Sequence, residues 1–396
     1  MLRNFEAKRF ASLLTVLAGA LVAFAAAAPA KQGGPPERLR LVHAREMSGE
    51  TVNGRRVYRL VGEVVFRQGE MVLRCDRATQ YLDEHRVVLE GNVVIEQPGK
   101  VLRADRIDYF DRLREEWAQG HVVAEDSART LRCDRLHYQE DRDYGVAEGA
   151  VQLEHRENHV RLEAATVRYD RANGVAIGEG NPVIVQQDST GREVFRLSGK
   201  RVAWYEDARR FEALGEVEIV DESGSHARCD SFAYYRDTGL AFLRGRPHTW
   251  RRWEQMYGHE MEWFFAEDTL REVRVRGHAF VLTEADTTHP GFRQNRVRGD
   301  SLVIYFSGGE AAQIVVRGRA TSLYYLFEEG KPRGVNWILG DEIRMWASGN
   351  KLTRVRILGD PERAEGKYYP ERLVSLAPVS DFEPEEKEFA VPGGEP

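Results

Sequence analysis

Aspartate recurs at one position of a repeated sequence pattern, and this is the residue type in the chain best suited to chemistry. The recurring residues are Asp76, Asp105, Asp134, Asp230, Asp300 and Asp341. Such an array could bind calcium or supply the acid and base of a hydrolase. Ionised carboxylates at one spacing along a stack repel each other, however, unless each is hydrogen-bonded separately. We therefore predict that these aspartates cap corners of the chain by accepting hydrogen bonds from backbone N–H groups.

Histidine and cysteine do not form a recognisable metal or nucleophile motif. His155 and His159 are four residues apart, but they fall in a predicted turn and not on a helix. Cys75, Cys133 and Cys229 occupy a repeat position that alanine fills in other units, so we predict buried free thiols. The sequence therefore predicts no catalytic residue, no metal and no cofactor, and the chain is not expected to be an enzyme.

Glycine returns every 29 residues in the first half of the chain, at Gly62, Gly91, Gly120 and Gly149. The surrounding sequence repeats as well, with Ala-Gln-Gly-His-Val at 118–122 and Ala-Glu-Gly-Ala-Val at 147–151. Further along, the spacing widens, and it reaches 41 between Gly277, Gly318 and Gly359. A fixed period of this size indicates one supersecondary unit copied along the chain.

Within each unit the apolar residues alternate with a period of two, which is typical of half-buried strands. Leu89, Gly91, Val93 and Ile95 fall on one face of such a strand. In the second strand of each unit the alternation slips by one residue at the Asp, which indicates a bulge or corner. The pattern predicts an all-β, elongated repeat of about twenty mostly antiparallel strands that forms a trough roughly 50 Å long.

Changes in composition divide the chain into five segments. A basic start, an apolar run and Ala28-Pro29-Ala30 predict a secretory signal peptide, although the run is long enough to remain as a membrane anchor. We predict a signal peptide at 1–30, a linker or first edge at 31–56, repeats at 57–250, a divergent continuation at 251–375 and a disordered acidic, Pro-rich tail at 376–396. The interspersed charges, with a net charge of −6, argue against nucleic-acid binding.

Aromatic residues concentrate in the later units. Residues 51–200 contain 10 Phe, Trp and Tyr residues, whereas residues 201–370 contain 24. A wider core would need larger side chains, and a dedicated binding surface would also be aromatic. The sequence leaves both explanations open.

The repeat resembles the OstA/LptA family of lipopolysaccharide-transport proteins, also described as the organic solvent tolerance N-terminal-like domain. The resemblance rests on Arg103-Ala104-Asp105-Arg106-Ile107-Asp108-Tyr109 followed by Ala118-Gln119-Gly120-His121-Val122, and on the matching copy at 132–138 and 147–151. It covers about residues 57–245. It implies a β-jellyroll whose two sheets form an open V in the periplasm, where it serves outer-membrane biogenesis; an association with the inner or outer membrane stays open.

In this resemblance the apolar interior holds acyl chains of lipopolysaccharide or lipid A, and the protein acts as a non-enzymatic bridge or chaperone. The inward-facing residues predicted to bind lipid are Val93, Ile95, Ile107, Tyr109, Val122, Leu136, Tyr138, Val151, Leu153 and Val167. Further copies or other envelope transport components would join end to end through edge strands, near Val57–Phe66 and Leu352–Leu358. Two alternatives stay open: a carbohydrate-active β-helix enzyme and a purely structural envelope rod.

Overall fold

Strands make up nearly all of the structure. The computed structural model describes residues 38–382 apart from Asn158, Arg171, Trp253, 267–268, 287–288, 290–291, 309, 329 and 349–350. Its 26 strands are hydrogen-bonded into one antiparallel network, which confirms the all-β class and exceeds the predicted twenty strands. The chain divides into two compact units at residues 213 and 214, and each is described by itself. The predicted signal peptide and residues 383–396 of the predicted tail lie outside the described residues.

The first unit contains fourteen complete strands. They are β1 (Arg40–His43), β2 (Glu46–Val52), β3 (Arg55–Gln68), β4 (Met71–Tyr81), β5 (Arg86–Gln97), β6 (Lys100–Phe110), β7 (Glu115–Asp126), β8 (Arg129–Gln139), β9 (Tyr144–His155), β10 (Val160–Asp170), β11 (Val175–Glu179), β12 (Val183–Gln187), β13 (Glu193–Ser198) and β14 (Arg201–Tyr205). The division between the units falls within β15 (Arg210–Asp221).

The second unit continues with eleven strands. They are β16 (His226–Tyr235), β17 (Leu240–Arg244), β18 (His248–Arg251), β19 (Glu254–Tyr257), β20 (Glu260–Ala266), β21 (Thr269–Glu284), β22 (Gln294–Ser307), β23 (Glu310–Glu328), β24 (Lys331–Ser348), β25 (Lys351–Leu358) and β26 (Glu365–Pro370). Short 3-10 turns lie at Leu82–Glu84, Glu140–Arg142, Glu371–Leu376 and Val379–Phe382. Over the part of the chain that the structure describes, no helix is long and apolar enough to cross a membrane.

The repeated glycine places a corner in the middle of every second strand of the early repeats. Gly91 and Asn92 have φ values of 76° and 47°, and β5 holds one more residue than β4 or β6 at this point. Two successive left-handed residues turn the strand, and glycine adopts this conformation without strain. A Cβ atom on Gly91 would lie 2.6 Å from Asp76 Oδ2. The glycine therefore meets two demands, the positive φ and the close approach of the aspartate on the neighbouring strand.

The corner divides each long strand into two halves that belong to different parts of the ladder. Farther along, the halves take separate partners: β10 pairs with β12 through Val160–Glu163 and with β11 through Thr166–Asp170. The predicted slip at the Asp is also present, since Ala104 and Ile107 of β6 are both buried although they are three residues apart. The two halves correspond to the two predicted sheets, joined strand by strand through their corners.

The N-terminal edge differs from the prediction. Val57–Phe66 was expected to form the edge, but β3 is an internal strand that pairs with β4 on one side and with β1 and β2 on the other. Residues 40–52, assigned to a linker or first edge, supply these two strands. The reason is physical: β3 has backbone donors and acceptors on both sides, and β1 and β2 satisfy the outer ones.

Residues 376–382 were assigned to the disordered tail, but Ala377 and Phe382 of this segment are buried in the structure. Phe382 is 1% exposed and Ala377 is buried against Tyr257, Phe280 and Trp337 of the second unit. Arg293 forms an ion pair with Glu371, which fixes the start of this segment. Burial of the apolar Phe382 side chain stabilises the position of this segment, although the composition around it is acidic and Pro-rich.

Candidate functional site

The ten residues predicted to bind lipid lie on six successive strands of the first unit, β5 to β10. Nine of them are buried and Tyr138 is half-buried; Val122, for example, is 1% exposed. The structure therefore brings the row together on the inward face, as the alternation predicts. Their contact with acyl chains stays a prediction, and in this conformation protein atoms fill the space around them.

Large and small inward residues alternate from strand to strand beside the corners. Opposite partners in the ladder are Val93 and Ala104, Ile107 and Ala118, Val122 and Cys133, Leu136 and Ala147, and Val151 and Ala164. Opposite Cβ atoms in an antiparallel pair are about 5 Å apart, so each branched residue faces a neighbour with few side-chain atoms. The interior is thus apolar and narrow beside the corners.

The first unit folds back so that the two ends of its strands meet. In this unit we call the row of strand ends on each side of the ladder a ladder edge. Gln68 ends β3 and lies at the same edge as Lys100, because Gln68 pairs with Met71 and Lys100 pairs with Gln97. Tyr109 is nine residues farther along β6, which would place it roughly 30 Å from that edge in a straight strand. Yet its hydroxyl donates a hydrogen bond of 2.6 Å to Gln68 Oε1. The corners must therefore bend the ladder until the opposite edges touch.

We call this line of contact the seam, defined by Gln68 and Lys100 on one edge and Tyr109 and Glu116 on the other. Burial raises the pKa of Glu116 to about 7, the nearby charge of Glu140 adds to the rise, and the positive charge of Lys100 opposes it. Burial also raises the pKa of Tyr109, so its hydroxyl remains a donor. The seam closes the apolar interior with polar side chains: an amide, an ammonium group, a phenol and a carboxyl group.

The sequence reasoning missed Gln68, Lys100 and Glu116. A signal was present, since Gln68 and Gln97 stand 29 residues apart, each directly before a turn. Tyr109 and Tyr138 also stand 29 residues apart, each one residue before the end of its strand. What the sequence did not show is that these two series approach each other. Tyr109 also gains a second role, because its ring faces the interior while its hydroxyl contacts the opposite edge.

The corner aspartates mostly contact side chains. Asp76 Oδ2 accepts from Asn92 Nδ2 at 2.9 Å, and Asp105 Oδ2 lies 2.8 Å from His121 Nδ1. The predicted backbone capping is seen at Asp341, which accepts from the N–H of Asp360 at 3.3 Å. The aspartates therefore hold the corners through the residue that follows the glycine.

In the second unit two corner aspartates line a surface cleft of about 460 Å³. Asp300 forms an ion pair with Arg319 at 2.9 Å, and Asp341 forms one with Arg363 at 3.3 Å. Each of these two carboxylates thus has an arginine partner. This arrangement differs from the pair of carboxylates flanking a substrate groove that a glycoside hydrolase uses.

The three cysteines are free and buried, as predicted. Cys75 and Cys133 lie in the interior of the first unit, and Cys229 lies in the second. Burial raises the pKa of each thiol to about 12. Because the thiolate is the reactive form, these thiols react with reagents only when the surrounding structure opens.

The aromatic residues of the second unit contribute to a core cluster. Tyr257, Phe280 and Trp337 pack with Leu323 and Val335, and the C-terminal segment covers them with Phe382. The Arg296 guanidinium also donates to the Val379 carbonyl at 3.2 Å, which holds the segment in place. This cluster favours the wider-core explanation of the aromatic excess.

Comparison with known proteins gives one family match. Residues 37–151 match the family model described as OstA-like protein. One similar solved structure is described as LptH of Pseudomonas aeruginosa, the LptA homologous periplasmic component of the conserved lipopolysaccharide transport device, at 15% sequence identity. That match covers 27% of this chain and 76% of the other, with a TM-score of 0.24. No curated protein sequence matches the chain.

Proposed function

The chain is OstA-like over residues 37–151, and from this premise we propose that it is a non-enzymatic carrier of lipopolysaccharide in the bacterial envelope. The proposal places acyl chains of lipopolysaccharide or lipid A in the interior of the first unit. It is supported by one observation above all: an uninterrupted inward apolar row runs across β5 to β10 within and just beyond the family match.

The chemistry of the interior suits an acyl chain. Branched and small side chains alternate there, and Val93, Val122 and Val151 of the corner row are each 1% exposed. Transfer of each CH₂ group from water to such surroundings stabilises the complex by about 0.8 kcal/mol. A chain of ten or more carbons would therefore supply enough free energy to compete with the contacts that fill the interior in its absence.

The proposal also places the protein in the periplasm after removal of residues 1–30, with a neighbour at each end of the array. Among the described strands, β1 and β2 pair only with β3, and β25 pairs only with β24. Leu41, Val42 and Met47 are exposed at the first of these edges. A strand from a further copy or from another envelope component could extend the ladder there and cover this apolar surface.

Lipid co-purification from lipopolysaccharide-producing cells tests the proposed cargo. Val122→Asp places a charge on the inward face, and Val123→Asp places the same charge on the outward face of the same strand. We expect bound lipid, measured by mass spectrometry of extracted material, to be lost from Val122→Asp and retained in Val123→Asp. Circular dichroism should show that both variants keep their strands. Equal lipid content in the two folded variants would refute the proposal.

A further inference from the structure

The interior of the first unit is closed by a contact between the two edges of one folded ladder. Tyr109 donates to Gln68 across the seam at 2.6 Å, although the two residues are 41 apart in sequence. Both lie at the C-terminal ends of their strands, and these ends are at opposite edges of the ladder because β3 and β6 run antiparallel. Tyr109 is 2% exposed, so this bond is shielded from water on the tyrosine side.

The neighbouring repeat makes a different contact with the same residue type. Tyr138 occupies the position of Tyr109 one unit later, but its hydroxyl lies 3.2 Å from Asp143, on the same edge of the ladder. Gln97, which corresponds to Gln68, donates to Met71, again on its own edge. Of these two equivalent tyrosines, Tyr109 alone joins the two edges.

A second interaction follows the same line. Lys100 stands at the Gln68 edge, and its positive charge acts on Glu116 at the Tyr109 edge. Farther along, Arg129 at the start of β8 and Tyr169 near the end of β10 also interact electrostatically, although they too belong to opposite edges. The edges are therefore joined by contacts between polar side chains, whereas the corners are joined by continuous backbone ladders.

We propose that the Tyr109–Gln68 hydrogen bond is a latch, and that the first unit opens along the seam while the corners act as hinges. This inference deepens the proposed function, on which it rests for the kind of chain that would enter. The physical reason is the kind of contact that is lost: opening at the seam breaks side-chain contacts and exposes the apolar row, whereas opening anywhere else also breaks backbone ladders. Lateral opening would let an acyl chain reach the buried row without passing along the whole array.

The buried thiols allow opening to be measured without any lipid. Cys133 pairs with Val122 on the inner row, and its thiol is accessible only in an opened state. We would follow maleimide labelling of Cys133 in the lipid-free protein by site-resolved mass spectrometry. Cys229 in the second unit serves as the internal control for global unfolding.

Tyr109→Phe and Gln68→Leu remove the latch, and Gln97→Leu is the matched control, since it deletes the same amide from a contact with Met71 within one edge. We expect Cys133 labelling to accelerate about 2- to 12-fold in each latch variant, the range that one net hydrogen bond gives. The double variant should label no faster than the faster single variant. Labelling in Gln97→Leu and labelling of Cys229 should stay at the wild-type rate.

Equal Cys133 labelling in Gln68→Leu and Gln97→Leu would overturn the latch, and so would equal acceleration at Cys133 and Cys229. Binding of a fluorescent acyl-chain probe then separates this inference from the proposed function. Faster labelling with no probe bound by any variant would support the latch and contradict the lipid-carrier proposal. Faster probe binding in the latch variants, with wild-type binding in the control, would support both.

Discussion

Glu116 stands out among the single residues, because its carboxyl group lies in the seam with a pKa of about 7. Its folded pKa lies above its unfolded value, so the stability of the protein falls as pH rises from about 4.5 to about 7 and is constant above. Glu116→Gln removes this dependence. We expect the variant to be more stable than wild type by about 1–2 kcal/mol at pH 8, with half-burial taken into account, and equally stable at pH 4. Urea unfolding at both pH values would measure this; a constant difference would contradict the assignment.

His121 and Asp105 give the same sign of pH dependence as Glu116, but at a corner and over a higher pH range. The hydrogen bond to Asp105, together with its negative charge, raises the pKa of His121. The stabilisation is therefore present below the unfolded pKa of about 6.5 and is lost as pH rises through the higher folded pKa. NMR titration should show a lower His121 pKa in Asp105→Asn than in wild type.

Because Asp105 is largely exposed, its corner role has a small energetic consequence. We expect Asp105→Ala to lower stability at pH 6 by less than about 1 kcal/mol, as is usual for an exposed ion pair. Asp105→Asn should lie between Ala and wild type in a thermal melt. A loss of several kcal/mol in both variants would show that the carboxylate has a buried partner.

The corner is the element on which the fold of each unit depends, and Gly91 tests it. Gly91→Ala would strain a residue with φ of 76° and would place a Cβ atom 2.6 Å from Asp76 Oδ2. Gly99, in the next turn, has φ of 75° and open space around it, so Gly99→Ala carries the backbone strain alone. We expect losses of about 2–3 kcal/mol and about 1 kcal/mol, respectively, in chemical denaturation. Equal losses would mean that the aspartate moves away freely and does not define the corner.

For the whole molecule, the exposed apolar edge predicts assembly through added strands. A double variant Val42→Asp, Met47→Asp should weaken self-association or partner binding, because it charges the edge formed by β1 and β2. Leu113→Asp is the control, since Leu113 is equally exposed but lies in the turn between β6 and β7. Val355→Pro tests the other edge in the same way. Light scattering after size exclusion would measure the outcome; unaltered assembly in both edge variants would place docking elsewhere.

Much of this fold could be predicted because the same sequence pattern recurs in successive units. The glycine period located the corners, and the alternation placed Val122 and Val151 on the inner face. The edges were harder to predict, because residues 40–52 lack the period and their pairing depends on the free side of β3. The seam could not be predicted, since contact between Gln68 and Tyr109 depends on how far each corner bends. The burial of Phe382 could not be predicted from composition either, because it depends on one apolar side chain in a polar segment.

Site-specific photocrosslinking tests the central claim, that the inner row holds acyl chains, most directly. A photoreactive amino acid at position 122 points inward, and the same residue at position 123 of β7 points outward. After irradiation in lipopolysaccharide-producing cells, intact-protein mass spectrometry should find a lipid adduct at position 122 and none at position 123. No lipid adduct at position 122, or equal adducts at both positions, would contradict the claim.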